Sequence, residues 1–117
     1  MGHAGQPIPM ASVVGNVLIS GGIHGQDPET GTFPEDFEGQ CKVLFENVNR
    51  IMQSAGGSMN DIVRFTFFVR DRSNRDIINN EWVKYFPDEH SRPARHTQLS
   101  DLPNQLLVQC EIYAVLE

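Results

Sequence analysis

Eight apolar residues set the tightest limit on how this chain can fold. Phe37, Cys41, Leu44, Phe45, Val48, Ile51, Met52 and Ala55 recur at spacings of three and four. On a helix that spacing gathers them on one stripe, which must lie against a second apolar surface. Pro34 suits the first turn, Glu35, Asp36 and Glu38 suit the positive end of the helix dipole, and Gly56-Gly57 close the segment. The surface that the stripe needs follows at once. Residues 62–69 alternate, with Val63, Phe65, Phe67 and Val69 predicted to point one way, under a helix, and Arg64, Thr66 and Phe68 the other.

The remaining elements fall around this pair. Residues 10–14 and 17–21 are two β-prone runs joined by Gly15-Asn16, a pair suited to a tight hairpin. Residues 23–34 are rich in Gly, Asp, Pro and Thr and read as a surface loop. A shorter helix is expected over residues 75–86, burying Ile78, Trp82, Tyr85 and Phe86, and strands over 94–100 and 106–116, with a turn at 101–105 between them. The order β-β-α-β-α-β-β predicts one α/β domain over residues 1–117, a two-layer α+β sandwich with both helices on one face of a mixed sheet. The other face carries Arg64, Thr66, Arg95, Thr97, Gln109, Glu111 and Tyr113, a mixture that a partner subunit is the simplest way to bury.

Composition excludes several function classes. Nine basic against fifteen acidic residues leave a net charge of −6, which argues against a nucleic-acid partner. No apolar run approaches the ~20 residues that cross a bilayer, and the first nine residues lack the pattern of a signal peptide, so a cytoplasmic protein without a membrane partner is expected. Cys41 and Cys110 fall on apolar faces and read as buried small hydrophobes. The four histidines show no metal spacing, so neither a metal nor another cofactor is expected.

Arg95 is the leading candidate for chemistry. Held on a strand, its guanidinium is a planar fork able to grip a carboxylate through two parallel hydrogen bonds. Alternation places Arg95, Thr97 and Leu99 on one face of their strand, and Gln109, Glu111 and Tyr113 on one face of the last. Arg95, Thr97 and Glu111 converge if the two strands are suitably placed. A structural ion pair between Arg95 and Glu111 at an interface is the competing account. Ser20-Gly21-Gly22 offers backbone N–H groups to a ligand only weakly, and His24 is more simply a surface loop residue.

In order and spacing, Val14-Gly15-Asn16-Val17-Leu18-Ile19-Ser20-Gly21, Asp27-Pro28-Glu29-Thr30-Gly31, Asp61-Ile62-Val63-Arg64, Phe68-Val69-Arg70-Asp71, Asn79, Arg92-Pro93-Ala94-Arg95, Leu102-Pro103 and Cys110-Glu111-Ile112-Tyr113-Ala114-Val115 resemble the Rid family, the reactive intermediate deaminases also called YjgF-type proteins. The resemblance covers nearly the whole chain. It implies a homotrimer with ligand sites between subunits and no cofactor. It further implies that Arg95 grips the substrate carboxylate, Glu111 positions or activates water, and Ser20, Gly21 and Thr97 line the pocket. The chain departs from the family pattern at Ile8, where tyrosine is usual, at Gly22, with His24 following in the same loop, and at Thr97. The stretch from Arg95 to Leu102-Pro103 is one residue shorter than usual. These departures place Ile8 and His24 among the substrate-binding candidates.

The activity so implied is hydrolytic deamination of enamine or imine acids of the 2-aminoacrylate or 2-iminobutanoate type. Alternatives are deamination of a larger substrate such as 2-aminomuconate, and non-catalytic binding of carboxylate metabolites or a chaperone-like role.

Overall fold

Gly15, in the left-handed region at φ +61°, turns β1 (Ala11–Val14) into β2 (Val17–Ser20) through the two-residue loop expected of Gly-Asn. The computed structural model describes residues 9–103 and 105–117; Ile8 therefore lies outside the described residues. After β2 come β3 (Ile23–His24), α1 (Phe37–Ser54), a 3-10 turn at Met59–Asp61, β4 (Ile62–Val69), α2 (Arg75–Tyr85), β5 (Ala94–Leu99) and β6 (Val108–Val115). The strands form one mixed sheet in the order β1-β2-β6-β4-β5, with β3 also on β6. Among the described strands only β4 and β5 pair in parallel, as the helical connection between them requires.

The stripe on α1 behaves as its spacing demands. Phe37, Cys41, Leu44, Phe45, Val48, Ile51 and Met52 are all buried, while Ala55 caps the helix. Asp36 is the N-cap, accepting the Gly39 N–H at 3.0 Å, so Pro34 and Glu35 precede the helix. At the far end Gly56 adopts φ +80°, and the N–H groups of Gly57 and Gly56 donate to Met52 and Gln53 at 2.8 and 3.0 Å. That is a Schellman closure.

Both helices cover the same sheet face. Phe45 lies 5.8 and 5.9 Å from the Phe65 and Phe67 rings, and Trp82 meets the same two rings edge-on at 5.2 and 6.3 Å. Ile78, Trp82 and Phe86 are buried as expected, and Tyr85 is half-buried. No described helix is long and apolar enough to cross a membrane.

Three local expectations are corrected. Val63 is 49% exposed, because a bulge between Ile62 and Arg64 shifts the alternation and puts Ile62 into the core instead. Residues 23–34 are not wholly loop, since Ile23 and His24 pair with Cys110 and Gln109. The last strand starts at Val108, two residues later than its apolar pattern suggested.

Two buried amides that the apolar pattern hid tie the loops to α1. Gln40 donates to the carbonyls of Pro34 and Gln105 and accepts from the Leu107 N–H, each at 2.9 Å. Asn47 donates to the carbonyls of His24 and Gln26, both at 2.9 Å. Gly25 lets this loop approach, as a Cβ there would stand 2.1 Å from the Gln40 carbonyl oxygen.

Candidate active site

Pairing across the sheet decides which polar side chains meet. Phe65 is opposite Arg95 and Phe67 opposite Thr97, so Arg95 and Thr97 share the helix-covered face. Thr66 is opposite both His96 and Glu111, which puts Glu111 on the outer face. Arg95 and Thr97 are therefore together, as alternation required, but Glu111 does not join them. β4 also stands between the two strands. The expected convergence of Arg95, Thr97 and Glu111 within one chain is overturned, and with it an ion pair between Arg95 and Glu111 of the same chain.

Arg95 is held by α2 instead. Its Nη1 donates to Asn79 Oδ1 at 2.7 Å, and its guanidinium carbon stands 5.2 Å from the Trp82 ring and 5.3 Å from the Phe67 ring. Each ring contact of this kind contributes about 0.5–2 kcal/mol, according to how dry it is. Burial, and next the charge of Arg75, push the Arg95 pKa down. A guanidinium nevertheless keeps its proton at neutral pH. The Nε–Nη2 edge is left for a planar anion, and Arg95 forms no ion pair with a described carboxylate.

The guanidinium opens onto a broad, solvent-open depression lined by Arg72, Arg75, Asn79, Arg95, His96 and Thr97. Asn79, Trp82, Arg72 and Arg75 carried no role in the candidate set. The sequence does hold a trace of them, since Arg75, Asn79 and Trp82 at i, i+4 and i+7 lie along one helix stripe.

The other candidates stand elsewhere. Ser20 is buried, and its hydroxyl accepts the Ile112 N–H and donates to the Gly21 carbonyl, both at 2.8 Å. It fills the gap in the ladder where β2 stops and β3 begins. Gly21 gives its N–H to the Met10 carbonyl at 2.8 Å. β6 and β4 separate these residues from β5, a span of three strand spacings or about 14 Å. His24 packs 5.3 Å from the Phe33 ring, beside Gln109 on β6. None of the three lines the Arg95 cleft of its own chain.

Cys41 and Cys110 are buried free thiols. Burial, reinforced by the charge of Glu81, raises Cys41 to about 12, and burial raises Cys110 well above the ordinary thiol value. Neither is a nucleophile at neutral pH. Among the described residues no three His, Cys, Asp or Glu side chains gather so as to hold a metal ion.

Known proteins with the same features agree with this architecture. The sequence profile described as Endoribonuclease L-PSP matches residues 7–116. A RutC family protein of Pyrococcus abyssi is 34% identical over 113 residues, covering 95% of this chain and 87% of its own. The 2-iminobutanoate/2-iminopropanoate deaminase of Salmonella typhimurium is 32% identical over 104 residues, covering 87% of this chain and 81% of its own. The crystal structure of RidA from an Antarctic Psychrobacter superposes with a TM-score of 0.89 at 32% identity, over 97% of this chain and 92% of that one. The chain belongs to the Endoribonuclease L-PSP family, the group also known as YjgF, RutC or Rid.

Proposed function

We propose that the protein hydrolyses reactive enamine or imine acids of the 2-aminoacrylate or 2-iminobutanoate type to 2-oxo acids and ammonia. One observation carries the proposal: a guanidinium fixed by Asn79 against two aromatic rings, with no ion-pair partner among the described residues, facing an open cleft. Membership of a family whose relatives include a protein named as an imine deaminase supports it.

Arg95 grips the substrate carboxylate through its open edge and so fixes the adjacent C=N carbon. An enamine first takes a proton on carbon to become the imine. Water adds to the C=N carbon and one of its protons passes to nitrogen, giving a carbinolamine. The remaining hydroxyl proton then passes to nitrogen as the C=O bond forms, the C–N bond breaks and ammonia leaves. Such imines hydrolyse unaided, so orientation and modest proton transfer suffice and no cofactor is invoked.

Glu111, which faces away from Arg95, reaches a substrate held there only from a second copy of the chain. The proposal therefore includes a homotrimer with its clefts between copies. Val17, Ile19, Tyr113 and Val115, exposed on the outer face at the β2–β6 pairing, form an apolar patch suited to burial against another copy. Ser20, Gly21, His24 and Ile8 are proposed to wall the cleft from that neighbouring copy.

The test is ammonia release from imines made in situ by an amino-acid oxidase. Arg95→Ala and Arg95→Lys should lose most of the activity, because a point charge cannot reproduce a two-pronged grip. Glu111→Gln should also lose it, and oligomers re-formed from a mixture of Arg95→Ala and Glu111→Gln chains should recover part of it. Undiminished ammonia release by both Arg95 variants would refute the clamp.

A further inference from the structure

Three of the nine basic residues in this acidic chain line one opening: Arg72, Arg75 and Arg95. Among the described residues of one chain, the wall of that cleft contains no carboxylate. Asp71 lines an adjoining recess together with the same three arginines, and its Oδ1 accepts from the Ser73 N–H at 2.8 Å and from the Ser73 hydroxyl. None of the three arginines forms an ion pair with a described residue.

Like charges gathered in this way repel one another, and Arg75 is close enough to push the Arg95 pKa down. Arg75 begins α2, where a cation opposes the helix dipole and the neighbouring Asp76 complements it, and the N-cap Asn74 makes no side-chain capping bond. Arg72 and Arg75 are exposed, and both converge on the opening that holds Arg95.

We propose that this cleft takes a ligand with two carboxylates, so that among the 2-imino acids of the proposed reaction an imino dicarboxylate is preferred over its monocarboxylate analogue. Arg95 holds the carboxylate next to the imine carbon, and Arg72 and Arg75 hold the second carboxylate at the far end of the chain. The preference among imino acids rests on the deaminase reading, but the two-anion site itself does not. One carboxylate satisfies Arg95 and leaves Arg72 and Arg75, neither of which forms an ion pair with a described residue, to hold a second anionic group. Arg72 and Arg75 are thereby specificity residues that discriminate between acids sharing the same reacting end.

Calorimetric titration of two product-like acids tests this without turnover. 2-Oxoglutarate and 2-oxopentanoate have the same chain length and differ only in a terminal carboxylate or methyl group. At low salt the protein should bind 2-oxoglutarate at least about tenfold more tightly, the effect of one added charge-assisted contact. The Arg72→Gln/Arg75→Gln double variant should bring the two affinities within about twofold of each other. Arg72→Lys/Arg75→Lys should retain part of the preference, which separates lost charge from lost structure. Equal affinities in the unaltered protein, no binding of the diacid, or a preference that survives the Gln variant each overturn the proposal. Ammonia release from the imines of glutamate and norvaline is measured in parallel. If both imines fail while the binding preference stands, the deaminase reading falls and the two-anion site remains.

Discussion

Replacing Asn79 with Ala isolates the contribution of positioning to the Arg95 clamp. The change removes the acceptor 2.7 Å from Arg95 Nη1 but leaves the Trp82 and Phe67 rings that flank the guanidinium. A hydrogen bond to a charged group contributes about 1.5–3 kcal/mol when shielded from water. Arg95 is only half-buried and water can replace part of the lost bond, so about 1–1.5 kcal/mol is the reasonable figure. That corresponds to about a five- to tenfold loss of affinity for a carboxylate ligand. Because the bond orients the clamp and does not touch the reacting carbon, KM should rise by that factor while kcat changes less than about threefold. The assay is steady-state ammonia release on an imine generated in situ, with calorimetric titration of a 2-oxo acid as a second reading. Urea unfolding serves as the control, and should fall by less than the binding energy lost. An unchanged KM in Asn79→Ala, alongside an Arg95→Ala variant that has lost activity, would refute the argument. A fall in kcat alone would mean that Asn79 acts on the reaction itself.

Two further outcomes follow from the buried polar groups. Gln40→Leu strands the Leu107 N–H and the Pro34 and Gln105 carbonyls. Even with partial rescue by water it should cost about 3–5 kcal/mol, read as a lower urea midpoint at an unchanged slope. The two cysteines set an alkaline limit. In the unfolded chain Cys41 ionises near its ordinary value of 9.0, whereas in the fold it holds its proton to about 12. The unfolded state therefore binds fewer protons across that interval. The stabilisation is complete below pH 9.0 and is lost as pH rises toward about 12. Unfolding free energy should fall by up to about 1.4 kcal/mol per pH unit for each thiol. Replacing both Cys41 and Cys110 with Ala should flatten that slope, and an unaltered slope would show that other groups cause it.

How far the sequence could be read depended on how local each feature was. The α1 stripe, its Gly56-Gly57 close and the Gly15-Asn16 hairpin rest on contacts within a few residues, and they stand in the structure as their spacing implied, although the helix starts after Asp36 and leaves Pro34 outside it. Arg95 and Thr97 likewise belong to one strand, so their shared face followed from alternation alone. Gln40 and Asn47 were invisible for the opposite reason, since their partners lie up to 67 residues away and amides on an apolar stripe carry no periodic mark. The bulge that exposes Val63 was equally hidden, because an inserted residue looks like any other member of an alternating run.

The pairing of Arg95 with Glu111 marks the division. Sequence alone determined that each sits on a strand and which neighbours share its face, because the two-residue period of a strand is a local property. Only the tertiary structure decided that these faces are opposite. Arg95 is in phase with Phe65 of β4 while Glu111 is in phase with Thr66, and a difference of one residue in register sends a side chain through the sheet. The same registration brought Arg95 under Asn79 and Trp82 and beside Arg72 and Arg75, a grouping set by where α2 crosses the sheet edge and by no spacing within any one segment.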